Sequence, residues 1–293
     1  TGGGRPTLAA LLFHSLPAPP RARFFAPMNE PEHKAASFYS GVGWEDVEGV
    51  TEDARRWEDL REHARAYVSA CRLRVLRHLP AQGENLLDMA SGPIQYPEYL
   101  EFSRHFKTRH CVDLSAPALE KAKQRIGGHG RFWHGSFFDL PLEENFFDAA
   151  ISLHTIYHMD RDQQEKAVRK LVAVTKPGRP VVIVYSNPDT LVSLPFRLAR
   201  RLKRFLLRRG GERDTDLYFH AHPVAWWRRF EDIAEVRLYP WRSFDALWQK
   251  RLVPDNALGA WLLRRLFALE DRFPNFFVRH FQYPMIVLTK HGG

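Results

Sequence analysis

Two short segments, each placing an aspartate after an apolar run, contain the residue types of a nucleoside-binding site. In the first, Leu87-Asp88-Met89-Ala90-Ser91-Gly92, the small residues let the backbone approach a ligand, and a following helix would present free amides to an anionic group. Asp88 can accept hydrogen bonds from a ligand ammonium or organise the loop. The second segment contains Asp113, 25 residues after Asp88, where a carboxylate can accept from both hydroxyls of a ribose. Together the two segments predict a nucleoside-containing ligand.

A nicotinamide dinucleotide is the first alternative for that ligand. Its binding loop has the pattern G-x-G-x-x-G, whereas this loop keeps only Gly92, with Ala90 and Ile94 in place of the other glycines. Pro93 also removes a backbone donor that a pyrophosphate would use. The sequence therefore disfavours a dinucleotide.

A histidine follows the fourth strand predicted below, in the sequence Ser152-Leu153-His154-Thr155. If the reaction takes place at a hydroxyl group, His154 is a candidate base, because the unperturbed pKa of histidine lies near 6.5. The alternative is that His154 packs or hydrogen-bonds beneath the ligand. Both interpretations place it at the rim of the site.

Two further histidines, His220 and His222, lie in the segment Tyr218-Phe219-His220-Ala221-His222-Pro223. They have no Cys, Asp or Glu ligand set nearby, so we expect no metal site here. One interpretation is that they line the acceptor pocket and that one of them is a base. The alternative is that they are exposed at the start of a helix.

Strands and helices alternate over the residues that must position these groups. The strand candidates are residues 85–89, 108–114, 131–136, 147–153, 180–185, 234–239 and 283–289. The helix candidates are residues 51–79, with Thr51 and Asp53 as possible N-caps, 96–105, 115–126, 162–175 and 223–232. This alternation predicts an α/β fold with a doubly wound, mostly parallel sheet and an antiparallel final strand. Such sheets bind ligands at the carboxyl ends of their strands.

Residues 84–188 resemble the class I S-adenosylmethionine-dependent methyltransferases of the small-molecule type, which have a Rossmann-like sheet. The resemblance rests on five motifs in the family's order, at residues 87–92, 112–115, 135–142, 145–152 and 176–178. It implies S-adenosylmethionine as the cofactor. It also implies that the first loop holds the methionine moiety, that Asp113 binds the ribose, and that the segment after the third strand frames the adenine. The implied cofactor-binding residues are Tyr39, Asp88, Ala90, Ser91, Gly92, Asp113, Leu114, Ser136, Phe137 and Leu153.

The chain departs from this family at the adenine position. Ser136 stands where the family commonly has an aspartate that reaches the adenine. We therefore expect adenine contacts that are weaker or differently arranged. Members that methylate amino groups often have an Asn/Asp-Pro-Pro-Tyr/Phe tetrad after the fourth strand, and residues 152–158 lack it. The resemblance thus favours an oxygen acceptor, with carbon as the alternative.

An aromatic segment near the N-terminus, residues 38–44, combines Phe38, Tyr39 and Trp44 with flexible glycines. Related enzymes often place such a tyrosine over the cofactor, which implies that Tyr39 closes the site. The alternative is that the segment is an aromatic anchor that packs on the sheet.

Much of the chain's positive charge lies in one predicted helix. The 293 residues include 43 Lys and Arg against 34 Asp and Glu, a formal net charge of +9. Residues 194–209 are predicted to form a cationic amphipathic helix, with a leucine stripe opposite an arginine face. It could contact an anionic membrane or act as a simple lid over the acceptor pocket. Nucleic acid is disfavoured, because no RNA-binding module accompanies the helix.

The chain divides into five predicted regions. Residues 1–27 are expected to be a disordered extension that precedes a translation start at Met28, and residues 28–80 a cap segment and helix. The remaining regions are a cofactor-binding core at 81–188, a basic lid insertion at 189–222 and a C-terminal completion of the sheet at 223–293.

Two cysteines that are 40 residues apart and no apolar run of about 18 residues predict a soluble, cytoplasmic protein. A peripheral position at the inner membrane face is the alternative. The predicted function is methylation of a small or lipid-like acceptor at oxygen or carbon, with an aromatic C-terminal region that could line the acceptor pocket. The alternative function is a noncatalytic module that binds the cofactor and docks a partner, a membrane or RNA through the basic helix.

Overall fold

The computed structural model describes residues 30–41, 46–47, 50–51, 58–192 and 218–292. The predicted extension at 1–27 therefore lies outside the described residues. So do residues 194–209, the predicted basic helix.

Seven strands form one mixed sheet, and two short strands, β1 (Asp46–Val47) and β2 (Val50–Thr51), pair antiparallel beside each other. The seven are β3 (Gly83–Met89), β4 (Phe106–Asp113), β5 (Gly130–His134), β6 (Ala149–Leu153), β7 (Pro180–Val184), β8 (Ala234–Arg242) and β9 (Tyr283–Lys290). Their order across the sheet is β5-β4-β3-β6-β7-β9-β8. β9 runs antiparallel to both of its neighbours, and the other pairings are parallel. The predicted doubly wound sheet with an antiparallel final strand is thus confirmed.

Eight α-helices are described. They are α1 (Glu30–Gly41), α2 (Glu62–Leu73), α3 (Pro97–Glu101), α4 (Ala116–Ile126), α5 (Arg161–Val174), α6 (Ala246–Leu252), α7 (Ala257–Arg272) and α8 (Pro274–His280). None of them combines the length and apolar character needed to cross a membrane.

The central strands are buried on both faces, as continuous apolar runs in a parallel sheet should be. In β7, Val181 and Ile183 point into a core that contains Val168 of α5 and Trp227. Val182 and Val184 point to the opposite core. That core also contains Val75, which follows α2, and Phe102, which follows α3. Helices therefore cover both sides of the strands, and the free carboxyl edge is left for a ligand.

The long helix predicted at 51–79 is wrong at its N-terminal end. Thr51 lies in β2, and the described helix begins at Glu62 and continues as a 3₁₀ helix, Arg74–His78. Asp59 accepts hydrogen bonds from the backbone and side chain of Arg61, which in turn donates to the carbonyl of Val253 at 2.7 Å. These contacts hold residues 58–61 in a non-helical conformation, so tertiary contacts override the local helical pattern.

Two other helices are shorter or tighter than predicted. The α-helix within 96–105 covers only Pro97–Glu101, and the segment predicted at 223–232 is a 3₁₀ helix, Val224–Phe230. In the latter, Trp227 and Phe230 are both fully buried against the sheet. Large rings packed at a spacing of three residues suit the three-residue turn of a 3₁₀ helix.

Candidate functional site

A cavity of about 590 Å³ opens at the carboxyl edge of the sheet, beside the point where the strand order reverses between β3 and β6. Its volume lies within the usual range for small-molecule sites, about 300–1,000 Å³. Ten of the predicted site residues line it: Tyr39, Asp88, Ala90, Ser91, Gly92, Asp113, Leu114, Phe137, Leu153 and His154. Their individual roles stay predictions.

The turn after β3 has an unusual backbone. Ala90, Gly92 and Ile94 all have left-handed φ angles, of 57°, 57° and 53°. Only glycine adopts this conformation without strain, so two of the three residues are held there by their surroundings. One such contact is the Ser91 N–H, which donates to the carbonyl of Val112 at 3.1 Å. The turn thus curls against the end of β4 and presents its backbone to the cavity.

Asp113, at the end of β4, closes that turn. Its Oδ2 accepts from the Gly92 N–H and its Oδ1 from the Ser115 N–H, both at 2.8 Å. Burial raises the pKa of Asp113 to about 6, although both backbone hydrogen bonds oppose the shift. The carboxylate is therefore ionised at neutral pH and lies close to its titration range.

Asp88 has a protein partner that the sequence analysis missed. The buried guanidinium of Arg109 donates from Nε to Asp88 Oδ2 at 3.0 Å, and Arg109 also donates to the carbonyl of Tyr99. Burial raises the pKa of Asp88, and the charge of Arg109 opposes that shift. The contact favours the expectation that Asp88 organises the loop. The available signal was an arginine within β4, 21 residues after Asp88.

Ser136 does not line the cavity, whereas its neighbours Gly135 and Phe137 do. It is 4% exposed, and its hydroxyl donates to Oε1 of Glu32 at 2.6 Å. Glu32 belongs to α1 and itself lines the cavity. No pattern in the sequence pointed to Glu32, because 104 residues separate it from Ser136.

Tyr39 is brought to the cavity by the same helix. Its ring lies edge-on to Phe38 with centroids 5.0 Å apart, and its carbonyl accepts from the Ser115 hydroxyl at 3.1 Å. Ser115 also caps α4 by accepting from the Ala118 N–H. These contacts hold α1 over the ends of β4 and β5, where the predicted cover would lie.

His154 lies at the end of β6 with a left-handed φ of 58°. Its Nδ1 is 3.0 Å from the Tyr157 hydroxyl, and its ring packs edge-on to Trp241 and Tyr283 at centroid distances of 4.6 and 5.0 Å. Burial holds the pKa of His154 well below 6.5, and the charge of Arg242 lowers it further. The imidazole is therefore neutral at physiological pH.

His220 and His222, the other predicted bases, are not among the residues that line the cavity. The His222 ring stacks on Trp226 at 4.4 Å with an interplanar angle of 3°, and the His220 N–H donates to the carbonyl of Tyr157 at 2.8 Å. The pair therefore supports the wall behind Tyr157 instead of lining the pocket. The expectation that these histidines line the pocket differs from the structure because the His222 ring packs on Trp226 and the His220 backbone is hydrogen-bonded to Tyr157.

The far side of the cavity contains a buried ion pair that the sequence analysis also missed. Arg242 is 2% exposed and donates from Nη1 to Glu58 Oε2 at 2.8 Å. Burial disfavours the charged form of Arg242, but Glu58 more than offsets this and raises its pKa. Because 184 residues separate the two, no local pattern could pair them.

These features fit an S-adenosylmethionine molecule. The Asp113 carboxylate can accept from ribose hydroxyls, the curled turn offers close backbone approach to the methionine part, and Leu114 and Phe137 offer apolar surface for a base. Within the described residues, no three His, Cys, Asp or Glu side chains form a group that could hold a metal ion.

Known proteins match this core. Residues 87–183 match the family described as methyltransferase domain. An uncharacterized methyltransferase of Anoxybacillus flavithermus is 30% identical over 76 residues, which are 26% of this chain and 35% of that protein. The chain thus spans about a third of the length of this relative.

Solved structures match over most of the chain. The DhpI–SAH complex is 14% identical with a TM-score of 0.52. The match covers 89% of this chain and 97% of the DhpI chain. A geranyl diphosphate C-methyltransferase of Streptomyces coelicolor A3(2) is 18% identical with a TM-score of 0.51, covering 90% and 99%. At these identities the likeness shows the fold alone.

Residues 87–183 therefore match a methyltransferase domain, and the sheet around them has the fold of the solved structures. The domain match supports S-adenosylmethionine as the methyl donor.

Proposed function

We propose that the protein methylates a hydroxyl group of a small, largely apolar or lipid-like acceptor. The main observation in support is that neutral His154 lines the same cavity as Asp113 and the turn after β3. One continuous space thus contains a donor site and a group able to take a proton.

The proposed mechanism is an in-line displacement, in which the protein chiefly aligns the nucleophile and excludes water. When bound, the cofactor supplies an electrophilic methyl group. A ring nitrogen of His154 would accept the proton that the hydroxyl loses as its oxygen takes the methyl group, and the sulfur of the donor would leave with the electron pair of the broken carbon–sulfur bond. A neutral imidazole is the form required for this transfer. Tyr157, 3.0 Å from Nδ1, would hold the ring in place.

The other cavity residues support an acceptor with an apolar body. The lining surface of the cavity is mostly apolar. Beyond the residues predicted to bind the donor, ten lining residues comprise five that are aromatic or aliphatic and five that are polar or charged: Tyr96, Met159, Phe219, Leu247 and Tyr283, and Thr155, Ser186, Arg242, Asp245 and Gln282. Such a lining binds an apolar skeleton and orients it through a few polar contacts.

A lipid-like acceptor is supported by exposed apolar side chains in the C-terminal region of the chain. Leu247 lines the cavity and is also 54% exposed. On α7, Leu258, Trp261, Leu262 and Leu269 are 37–58% exposed and project within about 100° of one another. Arg265 projects among them and lies 5.4 Å from the Trp261 ring. Exposed Trp and Leu beside arginine are typical of helices that bind at the surface of anionic membranes.

We therefore propose peripheral contact with an anionic membrane as the route by which the acceptor arrives. The α7 face, defined by Leu258, Trp261, Leu262, Arg265 and Leu269, is the described part of that contact. The predicted contribution of residues 194–209 stays a prediction.

The proposed function is tested by consumption of the donor. The protein is incubated with S-adenosylmethionine and a panel of apolar alcohols, phenols and lipid extracts, and S-adenosylhomocysteine is measured by mass spectrometry. We expect formation that depends on one acceptor class and a product with a new O-methyl group. A C-methyl product would overturn the oxygen assignment. Binding of the donor without consumption in any extract would favour the noncatalytic module instead.

A further inference from the structure

The contact between Glu32 and Ser136 joins two parts of the chain that are 104 residues apart in sequence. Ser136 follows β5 and is buried, while Glu32 lies in the first turn of α1. Ser136 donates to Glu32 Oε1 at 2.6 Å and accepts from the Phe138 N–H at 3.3 Å. The serine hydroxyl is thus oriented from both sides and fixes the position of the carboxylate.

Through its hydrogen bond with Ser136, the Glu32 carboxylate lies beside Gly135 and Phe137, which line the cavity with it. Leu114, which follows Asp113 at the end of the adjacent strand β4, lines the same cavity. Leu114 and Phe137 offer apolar surface to the faces of a ring, but they offer no side-chain acceptor to its edge. Among these residues, Glu32 alone has a side chain that can accept a hydrogen bond from an exocyclic amino group.

We propose that Glu32, positioned by Ser136, recognises the exocyclic amino group of the cofactor's adenine and selects adenine over 6-oxopurines. This inference rests on the proposed function, because it requires the adenosyl group to bind with its ribose at Asp113. Ser136 is then a positioning residue, and the carboxylate comes from a helix outside the matched domain at 87–183.

The proposal also gives α1 a role in binding. Another attachment of α1 is the Tyr39 carbonyl, which accepts from Ser115 at 3.1 Å. The selective carboxylate is in place only while α1 lies on the core. The competing interpretation is that the Glu32–Ser136 contact merely attaches α1 and has no effect on which base is bound.

Two ligands separate these interpretations: S-adenosylhomocysteine and S-inosylhomocysteine, in which a 6-oxo group replaces the amino group. An amino group donates to a carboxylate, whereas a carbonyl oxygen opposite a carboxylate leaves two acceptors facing each other. Calorimetry with the full chain should show that the wild type prefers the adenosyl ligand by at least about tenfold.

In Glu32→Gln the preference should fall below about threefold, because an amide can donate as well as accept. Ser136→Ala should reduce the preference without abolishing it. Glu30→Gln is the matched control, since Glu30 lies two residues away on α1 and pairs with Lys34 at 2.9 Å instead of lining the cavity. It should keep the wild-type preference. Glu32→Ala, checked by thermal unfolding, separates loss of the carboxylate from loss of the fold.

A Glu32→Gln protein that is folded and keeps the full wild-type preference would overturn the proposal. So would a wild type that binds both ligands equally. If the wild type binds neither ligand, the proposed function fails as well, and this outcome is distinct from the other two.

Discussion

The Gly92 N–H donates to Oδ2 of Asp113 at 2.8 Å, so that the turn after β3 and the end of β4 are joined by one carboxylate. The same side chain accepts from Ser115 through its other oxygen and lines the cavity. Asp113 therefore both shapes the turn and faces the cavity.

Replacing Asp113 should weaken donor binding strongly. Asp113→Ala removes the acceptor for ribose hydroxyls and frees the Gly92 amide, so we expect S-adenosylhomocysteine to bind more than tenfold more weakly in calorimetry. Asp139→Asn is the control, because Asp139 is an exposed acid after β5 that does not line the cavity. Unchanged affinity in a folded Asp113→Ala protein would rule out the ribose assignment.

Donor binding should also weaken in acid. In the free protein the pKa of Asp113 is about 6, and hydrogen bonds from ribose hydroxyls favour its ionised form. Protons therefore compete with the ligand as the pH falls through 6, and affinity should drop about tenfold between pH 7.5 and pH 5. Asp113→Asn should bind weakly with little pH dependence over this interval. If wild-type affinity is constant down to pH 4.5, the pKa of this carboxyl is not raised.

Removing one partner of the buried ion pair between Asp88 and Arg109 should lower the free energy of unfolding. Arg109→Met leaves a buried carboxylate without its partner, and we expect a loss of about 3–5 kcal/mol in the free energy of unfolding in urea. The double variant Asp88→Asn/Arg109→Met should recover much of that loss. Arg104→Met is the control, because its ion pair with Glu101 is exposed and should contribute less than about 1 kcal/mol. Equal losses in the two single arginine variants would contradict the prediction.

The strands and the cofactor side of the site were accessible to sequence reasoning because their signals are local. Apolar runs with an acid at the end define β3 and β4, and each predicted strand lies within a few residues of the observed one. The start of α2 could not be predicted from the sequence, because Arg61 donates to the carbonyl of Val253, which follows α6 and is 192 residues away. A pattern of apolar spacing contains no information about such a contact.

The charged groups around the cavity were missed for the same reason. Glu32 meets Ser136, and Glu58 meets Arg242, across 104 and 184 residues. Glu58 meets Arg242 only once β8 is in the sheet, and Glu32 meets Ser136 only once α1 lies over the end of β5. The histidines at 220 and 222 were misplaced because an aromatic neighbourhood can form a pocket or a core, and Trp226 forms core here.

His154 should affect turnover and not donor affinity. Once an acceptor has been found, His154→Gln should lower kcat at least about a hundredfold, because the proton acceptor is lost while the polar volume is kept. The affinity for S-adenosylhomocysteine should change less than threefold. His158→Gln is the control: the pKa of His158 is likewise lowered, to about 4, by burial, but its Nδ1 is held by the carbonyl of Tyr218 at 2.8 Å. A His154→Gln enzyme with normal kcat would show that this histidine only packs.

The α7 face should bind anionic membranes. Wild-type protein is expected to co-sediment with vesicles of phosphatidylglycerol and to be released by high salt, because arginine–lipid attraction is screened. Replacing Leu262 and Leu269 with Glu should abolish sedimentation. Leu100→Glu should not, since Leu100 is an equally exposed leucine on α3, 37% against 37% for Leu262.

Replacing Arg200, Arg201 and Arg204 with neutral residues tests the predicted basic segment in the same assay. Loss of these three charges should weaken sedimentation even when the α7 face is intact. If the wild type stays in solution with these vesicles, the membrane route for the acceptor is wrong. If Leu100→Glu is as defective as the α7 double variant, the binding does not depend on the α7 face.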